Sequence, residues 1–345
     1  MATGRSPKLR SQRQGPTNLF RSTARHAFLM TCALGLLAFL AATNTSNVFA
    51  QASVLPRGFG SVSFSYQTIG HTGRLQTDGT IVRDSQSTNR DFVVGAEYGF
   101  TDRFTLFLGI PIVSSMYTGA DPLPPKPALF PADQCRCWNS GFQNFSFSAR
   151  YNIVGHPHSA LTVTPSVASI VPSHDYDFHG QAVLGRGLRE LQFGVDASQR
   201  IDAISDNLFV QGYYRYAVVQ KALDVGTNRS NAAVELDLLL ADKRLTLSGL
   251  ATFQVTHGGL RFGSTTPGSS LTPPGEFKSP ELFDQRNRLQ RDIYQRAGAG
   301  VMYSFQRMSV FGNFFGVLGG KDTHIVNAVT VGVIIPFQLG RSFVN

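Results

Sequence analysis

The sequence predicts an all-β chain, an antiparallel up-and-down transmembrane β-barrel of about twelve strands with both termini in the periplasm. Three observations predict it. Extended segments with period-two apolar alternation recur through most of the chain, and period two belongs to strands because a helix repeats at 3.6. Several segments run to eleven residues or more, where a soluble strand averages ~5–6 and a tilted membrane strand needs ~9–11. The connections alternate long and short, as they do in outer-membrane barrels.

Composition agrees. Of 345 residues, 15% are charged and 42% hydrophobic, with 34 Gly and 27 Phe; soluble domains carry roughly 25% charge. The formal charge of +9 suggests nucleic acid at first sight. It is concentrated at the start, where Arg5, Lys8, Arg10, Arg13, Arg21 and Arg25 occur with no acid before residue 51. Removing those six of 31 basic residues leaves 25 against 22 acidic ones. That is close to neutral, with no basic stripe, and nucleic acid is excluded as a partner.

Residues 1–50 read as a cleaved signal peptide. A basic head precedes the uncharged run AFLMTCALGLLAFLAA at 27–42, and Val48 and Ala50 stand at −3 and −1 of a cleavage site after Ala50. The run is too short for a transmembrane helix, which needs ~20 residues. Cys32 lacks a lipobox, since Leu29-Met30-Thr31 precedes it. Residues 51–345 are then the barrel, exported to the cell outer membrane.

The predicted strands are 58–69, 90–100, 103–113, 141–153, 160–171, 188–200, 207–219, 229–240, 244–256, 291–305, 308–318 and 323–338. In the second, Phe92, Val94, Ala96, Tyr98 and Phe100 oppose Val93, Gly95, Glu97 and Gly99. The third carries Phe104, Leu106, Leu108, Ile110 and Ile112 on one face. In the fourth, Phe145, Phe147, Ala149 and Tyr151 oppose Asn144, Ser146, Ser148 and Arg150. The sixth sets Leu191, Phe193, Val195 and Ala197 against Gln192, Gly194, Asp196 and Ser198. The eighth sets Val234, Leu236, Leu238 and Leu240 against Glu235 and Asp237, and the ninth repeats the pattern from Leu245 to Val255. The eleventh has no distinct face: Phe311 and Phe315 lie on one side, Val310 and Phe314 on the other. The last strand holds TVGVIIPF, Thr330 to Phe337. It resembles the signal read by the barrel-assembly machinery, except that QLGRSFVN follows the aromatic residue.

The hairpin EYGFTDRFTLFLGIPIV at 97–113 resembles a recurrent element of the outer-membrane barrels described as putative meta-pathway phenol-degradation, or transporter-like, proteins. Tyr98, Gly99, Thr101, Asp102, Arg103 and Pro111 occupy the matching places, with Phe100 for the usual Leu. GFQNFSFSARYN (141–152), PSVASIVPS (165–173) and GLRELQFGVDASQRI (187–201) resemble later strands of that family, in order. The resemblance implies an outer-membrane barrel that takes up small hydrophobic or aromatic compounds.

A lumen should hold the polar side chains, because charge facing lipid costs roughly 2–4 kcal/mol at the midplane. By alternation, Glu97, Arg150, Asp196, Arg215, Glu235, Asp237 and Arg296 point inward. They form either a selective polar constriction or a set of ion pairs that fills the barrel; both readings stay open. A gate must come from an outer loop, and the Pro-rich stretches 114–140 and 257–290 are the candidates. Cys135 and Cys137 form a disulfide candidate in the first of these. His174, Asp175, Asp177 and His179 could ligate a divalent ion, although a solvated loop has the same composition.

Neither cofactor nor metal is called for, and no nucleophile motif marks an enzyme; His257 is the one residue to watch for hydrolysis. The expected function is a channel for small, hydrophobic or aromatic solutes, with outer-membrane lipid and the assembly machinery as partners. A structural or adhesive barrel acting through its loops is the alternative, and a hydrolase a further one.

Overall fold

A computed structural model describes residues 54–83, 86–119, 133, 135–155, 160–261 and 276–339. The signal segment and most of the two Pro-rich loops lie outside them. Twelve strands form one closed antiparallel barrel. In chain order they are β1 (Phe59–Leu75), β2 (Ser87–Thr101), β3 (Phe104–Tyr117), β4, β5 (Leu161–Pro172) and β6 (Glu190–Arg200). The rest are β7 (Leu208–Val219), β8 (Thr227–Leu240), β9 (Leu245–Gly258), β10 (Ile293–Ser304), β11 (Ser309–Lys321) and β12 (Thr323–Gln338). Strand β4 comes in two pieces, Asn139–Phe142 and Asn144–Tyr151.

Each strand pairs with its sequence neighbours, and β12 returns to β1 from Phe59↔Gln338 to Leu75↔Thr323. Closure leaves no free strand edge, which is what lets a sheet sit in lipid. No helix among the described residues is long and apolar enough to cross a membrane.

Alternation sets the two faces. Phe147, Phe193, Leu236, Phe314 and Val331 are exposed on the outer wall, whereas Thr105, Thr162 and Thr164 on the inner face are buried. The eleventh strand is thereby resolved. Phe311 pairs with Gly332 inside the barrel, and a Cβ on that glycine would fall 2.4 Å from the Phe311 ring. Phe314 points to the lipid side. Phe107 likewise lies over Gly95 and Gly109. These aromatic rings use the space that glycine leaves bare on a neighbouring strand or, at Gly109, on their own. The glycine richness of the walls therefore matches inward aromatic rings.

Strand β1 reaches Leu75 and β2 begins at Ser87, so the first long link is shorter than the sequence predicted. The reason is a register shift between His71 and Gly73, past which β1 keeps pairing with β12. At one end of the barrel the strands are joined by short turns, such as Ala241–Asp242–Lys243 with φ of 49°, 54° and 67°. The other end carries the long loops, except that Asp322 alone joins β11 to β12. In the loop between β9 and β10 lie two short helices, α1 (Pro280–Asp284) and α2 (Arg286–Leu289). Ser279 caps α1 by accepting from the Leu282 N–H.

Candidate functional site

The inner face carries two groups of charges. The first lies toward the short-turn end. Arg150 on β4 pairs with Glu97 on β2, although β3 separates those strands. Such a meeting across a strand needs both side chains on one face, here the inner one, where barrel curvature brings them together. Arg215 donates to Asp196 at 2.8 Å and stacks on Tyr213 at 4.2 Å. Asp237 accepts from Gln211 at 2.7 Å and from Ser248, with Glu235 beside it. Arg150, Asp196, Arg215, Glu235, Gln211 and Tyr213 line a cavity of about 240 Å³. Six of the seven sequence-selected charges thus lie in one connected region.

The seventh, Arg296, belongs to the second group, nearer the long loops. It stacks over Tyr294 at 3.8 Å and faces Phe315 at 5.4 Å. Around Tyr294 also lie Arg229, which pairs with Glu190 on β6, and Asp292. Arg186 reaches the same place from the loop between β5 and β6, 3.7 Å from Asp292.

That loop, residues 173–189, is the feature sequence reasoning missed. It folds into the barrel instead of standing in solvent. Tyr176 and Leu184 form a buried cluster with Val113 on the inner face of β3. The Tyr176 hydroxyl donates to Asn144 and accepts from the Gly187 N–H at 3.1 Å. Burial pushes this phenol above its ordinary range. Asn139, Gln143 and Asn144 donate to the carbonyls of Ala182, Leu184 and Leu188. Asp133 accepts from the N–H groups of Gln181 and Ala182, both at 2.7 Å.

The α2 segment closes over this loop. Asn287 donates to the carbonyls of Phe178 and Gly180 at 2.8 and 2.9 Å. Arg288 donates to the carbonyls of Arg186 and Gly187 and stacks 3.3 Å over Phe178. Leu289 is fully buried with Phe277. Of the two gate candidates read from sequence, the second therefore contributes its described end to an inward assembly. Residues 120–132 and 262–275 fall outside the described residues. From the first stretch, Asp133 and Asn139 join in.

The other candidates are placed as follows. Cys135 and Cys137 are joined as a disulfide. His179 contacts Asp177 at 2.7 Å and His174 contacts Ser173 at 2.8 Å. Among the described residues no three His, Cys, Asp or Glu side chains converge as metal ligands. His257 receives or gives a hydrogen bond with Ser230 at 2.7 Å on the outer wall. No acid or amide among the described residues orients its other nitrogen, so a nucleophile–base pair stands there without the third member of a triad.

No family model and no curated protein matches the sequence. Solved structures do. A COG4313 outer membrane channel from Pseudomonas putida F1 aligns over 85% of this chain and 100% of that one, at 12% identity and a TM-score of 0.61. The KdgM porin in complex with disordered oligogalacturonate aligns over 80% and 99%, at 10% identity and 0.42. A Pseudomonas aeruginosa FadL homologue aligns over 86% and 99%, at 9% identity and 0.37. The first shares the fold, that of an outer-membrane barrel. Together with the apolar outer wall, it supports an outer-membrane location.

Proposed function

We propose that this chain is an outer-membrane channel for small solutes, gated by the inward loop 173–189 and the α1–α2 segment. The observation that carries the reading is the lumen: the first charge group lines an interior cavity of about 240 Å³, and the second meets the inward loop through Arg186. The solutes we assign are hydrophobic or aromatic, on the resemblance of the 97–113 hairpin and the later strands to the phenol-degradation barrels. In this reading Glu97, Arg150, Asp196, Arg215, Glu235, Asp237 and Arg296 line the path and select what passes. The chain acts without catalysis. It is exported by its 1–50 segment and inserted by the assembly machinery through Thr330–Phe337.

The test is single-channel recording of the refolded barrel in a planar bilayer. Discrete steps that change when Arg150 or Glu235 is reversed in charge support a path lined by those residues. A second reading, a structural or adhesive barrel with a filled lumen, draws on the buried Tyr176 and Leu184 at the mouth. It predicts a barrel that stays silent even after residues 176–186 are replaced by a short Gly-Ser link, and that keeps its heat-modifiable migration on gels.

A further inference from the structure

The charges around Tyr294 do not balance. Three guanidinium groups, Arg186, Arg229 and Arg296, converge there, with two carboxylates, Glu190 and Asp292. Glu190 is committed to Arg229 and to Gln192. Asp292 accepts from Gln254 at 3.1 Å and lies 3.7 Å from Arg186. Arg296 has no carboxylate within ion-pair distance among the described residues; its neighbours are the faces of Tyr294 and Phe315. Buried nitrogens of all three arginines find no acceptor: Nη1 of Arg186, Nε of Arg229 and Nε of Arg296.

The backbone is shaped for this. The pairing of β10 with β11 shifts register between Gln295 and Arg296, opposite Gly319 and Val317. A bulge of this kind re-aims the side chain that follows it. A cation left without an acid inside a wall of low polarity is costly unless an anion completes it. A guanidinium held flat against aromatic rings presents its remaining N–H edge to a planar carboxylate.

We propose that Arg296, with Arg186 and Arg229, forms a binding site for the carboxylate of a small organic anion whose flat apolar body lies among Tyr213, Tyr294 and Phe315. The inference rests on the reading of the lumen as a solute path and narrows its solute to a monocarboxylate with a planar ring. Binding at the site does not require conduction, so the two readings fail separately.

The experiment is calorimetric titration of the full barrel, refolded in detergent at pH 7, with benzoate, benzyl alcohol and chloride. Benzoate should bind saturably, and benzyl alcohol and chloride should bind at least tenfold more weakly. Arg296→Gln should weaken benzoate by about tenfold or more, the scale of a lost hydrogen bond to a charged group. Arg296→Lys keeps the charge without the forked edge and should fall between. Arg307→Gln, exposed in the short turn between β10 and β11, should leave binding within about twofold. Folding of each variant is checked by heat-modifiable migration, and if Arg296→Gln fails to fold, Arg296→Lys carries the test. Absence of saturable benzoate binding, equal binding of chloride, or binding unchanged in both Arg296 variants would overturn the site. Benzoate binding to a barrel that never conducts would uphold the site and sink the channel. Conduction without benzoate binding would do the reverse.

Discussion

Arg150 and Glu97 show what a single residue does here. Their strands do not touch, so the pair ties β2 to β4 across the inner face of β3. Each side chain is only about a fifth exposed, at 17% and 20%. Glu97→Gln leaves the Arg150 cation in place and removes its counter-charge. The expected loss is about 1–3 kcal/mol, less than for a fully buried pair. It is read as a lower denaturant midpoint for the refolded barrel.

Asp202, in the turn after β6, behaves differently. The hydrogen bond from Arg200 holds its carboxyl below the usual carboxylate range. A carboxyl lowered on folding contributes stability above its unfolded pKa and loses it as pH falls through the folded value. Asp202→Asn should therefore cost about 1 kcal/mol at pH 7, because Asp202 stays partly in solvent while its partner Arg200 is buried. That difference should shrink as pH falls below the unfolded carboxyl's value of about 3.9 and vanish once the folded carboxyl is protonated as well. Melting curves of the two proteins across pH 2–7 check it.

At the scale of elements, the walls were legible and the loop assembly was not. Period-two alternation reports on the pleat itself, so β2, β4, β6 and β8 show their outward and inward faces directly in sequence. β11 defeated the pattern because both of its faces are apolar, and only the partner glycine at 332 decides that Phe311 turns inward. Residues 173–189 gave no warning. Their local text, SHDYDFHG, has the polarity of a solvated loop, and the groups that draw them inward are distant in sequence. Asn144 and Val113 come from two other strands, Asp133 from another loop, and Asn287 and Arg288 from a helix about a hundred residues later. The Tyr176 hydroxyl between Asn144 and the Gly187 N–H is a long-range arrangement that no spacing encodes. Seven of the charges were readable because alternation on their strands points them inward; Glu190 and Arg229 were not selected although they sit near strand ends, and Arg186 was not because it sits on this loop.

The assembly itself makes a prediction. Arg288→Ala removes two hydrogen bonds to loop carbonyls and the stack on Phe178. Hydrogen exchange of the 174–188 amides should accelerate by roughly tenfold or more. Exchange in β6 and β7 should stay unchanged. Acceleration spread evenly over the barrel would mean that Arg288 supports the fold rather than the loop.

For the whole molecule, the governing fact is that lipid and lumen see different side chains of every strand. Phe193 and Gln192 are sequence neighbours on β6 with opposite exposures to the two environments. Phe193→Arg places a charge against hydrocarbon and should cost about 2–4 kcal/mol if that position lies at mid-depth. Gln192→Arg places the same charge among the inner polar groups beside Glu190 and should cost far less. The folded fraction in a lipid-ratio or urea refolding series measures both. Equal losses would mean that the assignment of faces on β6 is wrong. The same two-sided rule explains why the low charge content agreed with this fold: one face of each strand needs no charge at all.

The two spans at the mouth are rooted four strands apart in a ring of twelve, one between β5 and β6 and the other between β9 and β10. Asn287 and Arg288 of one hold the backbone carbonyls of the other. They lean on each other like the two sides of an arch, each also footed on the wall: the loop on Val113 and Asn144, the helical span on Asp322 through Gln290. An arch does not open by degrees. When the helical span lifts, the loop loses its four hydrogen bonds from Asn287 and Arg288 together, and in the channel reading the mouth should pass between shut and clear as square steps of current.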